Sequence, residues 1–354
     1  MIVRDEAPII RRALDSALPH IQAWLVLDTG STDGTPEIVH SVLDGVPGRL
    51  LAAAWEGFAT ARTRAYAEAS LLGTDYVLLL DADQTVEVRD ATALTRLTAD
   101  AYNIEIRHGP ISYPHPWLLK SNCGWSWAGT THEYLVPQSG RIVAETGALL
   151  LVEHSDSHRR VTGAKAREDR ELLEQAHRDD PDDARTVFYL GQLCSDEGNL
   201  VCALKWYRQR VRMGGWLEEV WNAQYRMGRI YEAQHSWEPA VAAYLAAFSL
   251  DATRAEPLYR LGRGYLSQQH FELAELFFAR AVAIAKPTQR LFLEDAVYDF
   301  AARWGLSTAQ RLLGKHTVAE EAENVVMGGD HTPAQVVADI LTSRVTKAIG
   351  RLPG

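Results

Sequence analysis

Tyr76-Val77-Leu78-Leu79-Leu80-Asp81-Ala82-Asp83 runs five apolar or aromatic residues straight into two carboxylates spaced i, i+2. The run is too short and too rich in strand formers for a surface helix, and it reads as a strand of a parallel sheet covered on both faces. Open α/β sheets place their ligands at such strand ends. Asp81 and Asp83, on either side of Ala82, can hold a hard divalent cation, which can clamp a diphosphate. Asp is also common in turns, so a solvated turn is the plain alternative.

Upstream, Trp24-Leu25-Val26-Leu27 is a second short apolar run, and it leads into Asp28-Thr29-Gly30-Ser31-Thr32-Asp33-Gly34-Thr35. Ser31, Thr32 or Asp33 can cap a helix that carries Pro36 in its first turn and runs through Ile38 and Val39 to about Leu43. Asp28 at the strand tip can accept from a base N–H or a ribose hydroxyl, or the segment is only a capped turn. Between the two runs, Phe58 to Ala67 has apolar residues at helical spacing, with Arg62 and Arg64 near its beginning. A helix N-terminus favours anions and Arg adds a bidentate phosphate donor, although an Arg on an exposed helix is ordinarily just solvated.

These three segments together resemble family 2 glycosyltransferases of the GT-A fold, in the branch whose catalytic domain is followed by tetratricopeptide repeats. The resemblance covers about the first 155 residues and the repeats extend it. It implies that Val3, Arg4 and Glu6, in the opening strand and acidic turn Met1 to Glu6, approach the nucleotide. It gives the same task to Asp28, Gly30 and Ser31 at the next strand end, and to Arg62 on the helix. Asp81-Ala82-Asp83 becomes the metal-binding motif, and Trp127 joins the donor site. Met1 already stands inside the expected first strand, so the true start is expected to lie further upstream. Thr63 stands where the family commonly has Asn, which alters the expected pose of the nucleotide.

Gly124-Trp125-Ser126-Trp127-Ala128-Gly129-Thr130-Thr131-His132-Glu133-Tyr134-Leu135 has the aromatic density of an acceptor-site wall. Indole faces suit the C–H face of a sugar ring, and Glu133 or His132 can take a proton from an incoming nucleophile within hydrogen-bond reach. The resemblance makes Glu133 the candidate base and His132 the runner-up; alternatively the tryptophans are core and Glu133 forms a structural ion pair. Leu149 to Val152 is another apolar strand, ending in Glu153-His154. Imidazole is a good ligand for manganese, and the resemblance places His154 as the ligand that completes the metal sphere, with His158 as the alternative. The mechanism implied is inverting transfer from a UDP-sugar with Mn2+ or Mg2+: Asp83 and His154 bind the metal, and Asp81 binds the metal or the ribose.

The second half repeats. Leu190-Gly191, Met227-Gly228 and Leu261-Gly262 recur at 37 and 34 residues, close to the tetratricopeptide period. Cys194, Tyr231 and Tyr265 keep the register, as do Ala203, Ala240 and Ala274, and then Tyr207, Tyr244 and Phe278. Small residues at close helix crossings with aromatics between them are what stacked hairpins require. Leu291, Phe292, Val297, Tyr298 and Ala301 suggest a further helix, 309–326 one or two more, and Thr332-Pro333 a last one capped by threonine. The expected organisation is a GT-A α/β domain with a Rossmann-like mixed sheet over 1–158, a linker helix over 159–185 and an all-α tetratricopeptide-repeat domain over 186–288. Residues 289–354 are expected to add a divergent repeat and capping helices.

The net charge of −10 over 354 residues leaves no basic footprint, so nucleic acid is not favoured as a partner. No run approaches 18 apolar residues and the N-terminus enters a strand at once, so neither a membrane span nor a signal peptide is expected. Cys123, Cys194 and Cys202 lack zinc spacing and form an odd set, which suits a reduced cytoplasm. The leading expectation is a metal-dependent hexosyl- or N-acetylhexosaminyl-transferase; a repeat scaffold with a degenerate sugar-nucleotide domain is the second. A nucleotidyltransferase is disfavoured, since Arg4-Asp5-Glu6 is no Gly-rich basic phosphate loop. The repeats either bind a peptide or protein acceptor or serve homodimerisation.

Overall fold

The computed structural model describes residues 1–109, 111–136, 138, 140–287 and 292–349. The chain divides into two compact units, Met1–Pro181 and Asp182–Gly354. The first is a mixed α/β unit and the second is all helical.

Two sheets carry the first unit. Ile2–Val3, Trp24–Asp28 and Gly48–Ala52 form a parallel sheet with Trp24–Asp28 in the middle, so Asp28 stands at the carboxyl end of the central strand. Val3, Ile10, Val26, Val39 and Leu43 are buried together beneath it, and Ala82 joins them. Leu25 and Leu27 point the other way, onto Ala61 and Ala65 of the helix Phe58–Ser70, as the period of two along a strand requires. The second sheet orders Tyr76–Leu78, Ile111–Lys120, Ala101–His108, Val143–Glu153 and Gln84–Val88. Ile104, Ile106, Leu119, Leu149 and Leu151 make its core.

The strand ahead of the acidic pair differs from the expectation. Tyr76–Leu78 pairs antiparallel with Leu118–Lys120 at the sheet edge, and regular pairing stops before Leu79 and Leu80, which are buried in the core. Length and apolar content cannot tell a parallel strand from an antiparallel one when pairing is with chain 40 residues away. His158–Val161 and the helix Ala164–Asp179, in the segment expected to link the domains, lie within the first unit.

The second unit is a run of helical hairpins: Ala184–Asp196 with Leu200–Met213, Leu217–Ala233 with Trp237–Leu250, and Glu256–Ser267 with Phe271–Val282. A Cβ added to Gly191, Gly228 or Gly262 would come within 2.8, 2.6 and 2.7 Å of Tyr207, Tyr244 and Phe278. Each hairpin is thus a glycine on one helix seating an aromatic ring of the next, which accounts for both repeated positions in the sequence. Ala302–Leu312 pairs with His316–Met327 as a divergent fourth hairpin, before Ala334–Ile349. Leu291 lies outside the described residues. Thr332 was expected to cap the last helix, but its hydroxyl donates to the Val326 carbonyl and so closes the preceding helix end. Cys194 and Cys202 are joined by a disulfide and only Cys123 is free, whereas the odd count had suggested thiols throughout.

Candidate active site

Asp81 and Asp83 owe their placement to a tight turn. Gln84 N–H donates to the Asp81 carbonyl and the Gln84 side-chain oxygen accepts from Asp81 N–H, both at 3.1 Å, which folds the motif back into the strand Gln84–Val88. Ala82 faces the core while Asp81 and Asp83 line a cleft of about 770 Å³. Val3, Arg4, Glu6, Arg62, His132 and Glu133 line the same cleft, so residues singled out in four separate segments converge.

Arg62 is the hub. Its Nε donates to Glu133 Oε1 at 2.9 Å and its Nη1 reaches Asp81 Oδ1 at 3.3 Å, while its guanidinium lies 5.2 Å from the Trp117 ring. Burial opposes the charge on Arg62, but Asp81 and Glu133 outweigh it and hold its pKa above the ordinary value. An Arg at a helix start is expected to offer a phosphate donor; this side chain instead ties two carboxylates together. Glu133 reaches it from a sharp turn in which Gly129 has φ +103° and His132 has φ +52°.

Asp83 is 8% exposed and has no ion-pair partner among the described residues. Burial first, then Asp81 and Glu153, raise its pKa. Glu6 is pushed up to about 7 by burial, with Asp83, Asp33 and Asp156 adding to the effect. Buried carboxyls that repel one another suit a cation. His154 does not complete that set: its Nε2 lies 3.0 Å from Thr85 Oγ1, and it is absent from the cleft lining. Glu153 pairs with Gln84 in the sheet and turns into the cleft, so alternation sends the next side chain away. His158 lines the cleft instead. Among the described residues no three His, Cys, Asp or Glu side chains converge to hold a metal ion unaided.

Trp125 and Trp127 are core, 3% and 6% exposed, and Trp127 packs edge-on against Tyr66. The donor-site role expected of Trp127 is therefore corrected; its backbone N–H donates to Thr63 Oγ1, the hydroxyl that stands where Asn was expected. The aromatic walls of the cleft are Trp55, Phe58, Tyr113 and Trp117. His115 also lines the cleft, with its pKa pushed down to about 4 by burial and then by Arg62.

Asp28 lies beside a second, smaller hollow together with Gly30, Ser31 and Pro36. Its Oδ1 accepts from Gly30 and Ser31 N–H at 2.7 Å, and its Oδ2 is buried without a partner. Side chains of the two neighbouring turns hold this end in place. Asp5 accepts from Thr32 N–H, Asp33 from Ala7 N–H, and Thr35 Oγ1 from Glu6 N–H, lacing the two strand-end turns. Ser and Thr in the stretch Ser31 to Thr35 were the available signal.

Residues 1–105 match the family model described as Glycosyl transferase family 2. The chain carries a family 2 glycosyltransferase domain. The match includes Asp28, Arg62, Asp81 and Asp83 and stops before Glu133 and His154. A TPR repeat-containing protein of Synechococcus elongatus is 28% identical over 276 residues, 70% of this chain and 64% of that protein, so the match spans less than two thirds of the relative's length. Among solved structures, MamA 41-end from Desulfovibrio magneticus has TM-score 0.38 at 16% identity, covering 48% of this chain and 88% of that one. YrrB, titled a TPR protein with an unusual peptide-binding site, has TM-score 0.37 at 19% identity, covering 46% of this chain and 77% of that one. Among the described residues no helix is long and apolar enough to cross a membrane beside the glycosyltransferase domain or after it.

Proposed function

We propose that the N-terminal unit transfers a hexosyl or N-acetylhexosaminyl group from a UDP-sugar to an acceptor hydroxyl or amine with inversion. The observation that carries this reading is the Arg62 bridge, which holds Asp81 and Glu133 on one cleft beside the buried Asp83, which has no ion-pair partner among the described residues. The buried, unpartnered Asp28 Oδ2 is an acceptor suited to a base N–H, and with Gly30 and Ser31 it takes the nucleoside end.

Asp83, with Asp81, would hold Mn2+ or Mg2+, a kind of cation commonly bound through one or two carboxylates. When bound there, it would supply positive charge against the leaving diphosphate. Glu133 takes the proton from the acceptor as the acceptor atom bonds to the anomeric carbon and the bond to the diphosphate breaks, its electron pair leaving with the diphosphate. His132, on the same turn, is the alternative base. Arg62 fixes the Glu133 carboxylate in place, and His115 stays neutral in the cleft wall. The helical repeats supply a surface on which a peptide or protein acceptor can be presented.

A second reading, a repeat scaffold whose sugar-nucleotide domain only binds, is favoured by one feature: Arg62 already engages an oxygen of both Asp81 and Glu133. Purified protein incubated with Mn2+ and UDP-glucose, UDP-N-acetylglucosamine, UDP-galactose or GDP-mannose decides between them. Metal-dependent release of nucleoside diphosphate from a UDP-sugar supports transfer. UDP binding by calorimetry without turnover of any donor supports the scaffold, and no UDP binding at millimolar concentration removes the nucleotide site altogether.

A further inference from the structure

The first helices of three successive hairpins, Ala184–Asp196, Leu217–Ala233 and Glu256–Ser267, receive a single short stretch of chain, Phe292–Glu294. That stretch follows the third hairpin, yet the Phe292 ring lies 5.9 Å from the ring of Phe188 in the first. Its carbonyl accepts from Arg254 Nη2 at 3.1 Å. Glu294 accepts from Tyr225 Oη at 2.7 Å and Arg260 Nη2 at 2.9 Å, with Arg229 Nη1 at 3.6 Å. Arg254 is fixed from behind, 3.0 Å from Glu256 and 3.4 Å from the centre of the Trp221 ring.

An aromatic seat, a donor aimed at a main-chain carbonyl and a cationic clasp for a carboxylate are together what recognises a short extended peptide. Phe292 has φ +60°, a left-handed backbone that a bulky side chain adopts only where its surroundings hold it. Contacts to the three helices, and not local preference, keep this segment in position.

We propose that Phe292–Glu294 is the internal occupant of a peptide-binding groove, and that the groove's outside ligand is a peptide carrying an aromatic residue followed two positions later by a carboxylate, which binds by displacing it. Capture of this kind goes beyond sugar transfer and needs none. A groove that is occupied from within binds an outside peptide with an affinity reduced by the fraction of time it is open.

The probe is a fluorescein-labelled peptide, Phe-Leu-Glu-Asp-Ala, copied from residues 292–296 and titrated into the full chain by anisotropy. The double variant Phe292→Ala, Glu294→Gln is expected to bind it at least about tenfold more tightly than the unsubstituted chain, because the internal occupant no longer competes. Adding Arg260→Gln to that variant is expected to remove the gain. Equal affinity of the double variant and the unsubstituted chain, both folded by circular dichroism, overturns the proposal. Should the double variant not fold, hydrogen exchange on the unsubstituted chain gives the answer. Saturating peptide is expected to speed exchange of the Glu294 amide, which donates to Glu256 Oε1 at 3.4 Å, and unchanged exchange overturns the proposal.

Discussion

Both units bury charge, but on different terms. In the repeat unit Arg254 lies 3.0 Å from Glu256, and Arg210 meets Glu219 at 3.1 Å, all four side chains at most 3% exposed. In the N-terminal unit Asp83 is buried near Asp81 and Glu153, which a Ser157 hydrogen bond and the charge of Arg160 offset only in part, and it has no ion-pair partner among the described residues. A buried pair satisfied by its own chain supports the fold, whereas a buried carboxyl matched only in part is a standing cost that a bound cation would relieve. The contrast separates a helical scaffold from a site built to receive something.

The strongest way to sharpen this contrast is to break a pair. Glu256→Ala takes from buried Arg254 its nearer carboxylate and leaves Glu218 at 3.3 Å as the other, and is expected to cost about 1–3 kcal/mol in urea unfolding of the full chain. A loss below about 1 kcal/mol would mean the pair is no better matched than an exposed one. Asp83→Ala is expected to do the reverse, lowering metal-dependent donor turnover by about 10²–10³-fold. Its unfolding midpoint should hold or rise, because a carboxyl whose pKa is raised on folding is costly when ionised. Unimpaired turnover in this variant would remove Asp83 from the site.

His115 extends the comparison to pH. Unfolded imidazole takes a proton near pH 6.5, while the folded chain withholds it until about 4, so stability should fall as pH drops through that window. The loss attributable to this residue is about 1–3 kcal/mol, and His115→Gln should flatten the profile. A profile identical in the variant would show that burial is not holding the ring neutral. Last come the glycines: Gly228→Ala, with Tyr244 2.6 Å from the new methyl, is expected to cost about 1–3 kcal/mol. Gly147→Ala in the first unit, with open space around it, should stay within about 0.5 kcal/mol, and equal effects would undo the account of the hairpin seats.

What the sequence made legible was whatever repeats or alternates locally. The strand Trp24–Asp28, the helix Phe58–Ser70 and the hairpin glycines with their aromatic partners all carry their signal within a few turns of chain. What it hid depends on distant pairing. Whether Glu153 or His154 faces the cleft is decided by register against Gln84, 69 residues before Glu153, and a one-residue shift exchanges them. The core alternative holds for Trp125 and Trp127, and the donor-site expectation for Trp127 does not, because aromatic density describes a wall and a core equally well. The bridge from Arg62 to Glu133 spans 71 residues and leaves no local trace. The acidic pair itself was legible, since a carboxylate ending an apolar run needs an explanation wherever the strand is paired.

The parallel sheet that presents Asp28 is complete by Ala52, whereas the other sheet waits for Val143–Glu153 to slot between Ala101–His108 and Gln84–Val88. A chain emerging from the ribosome therefore has every strand of the Asp28 platform in hand about a hundred residues before the second sheet can close. Synthesis order gives this protein a half-built candidate site that must stay free of aggregation while the strand that finishes it is still being made.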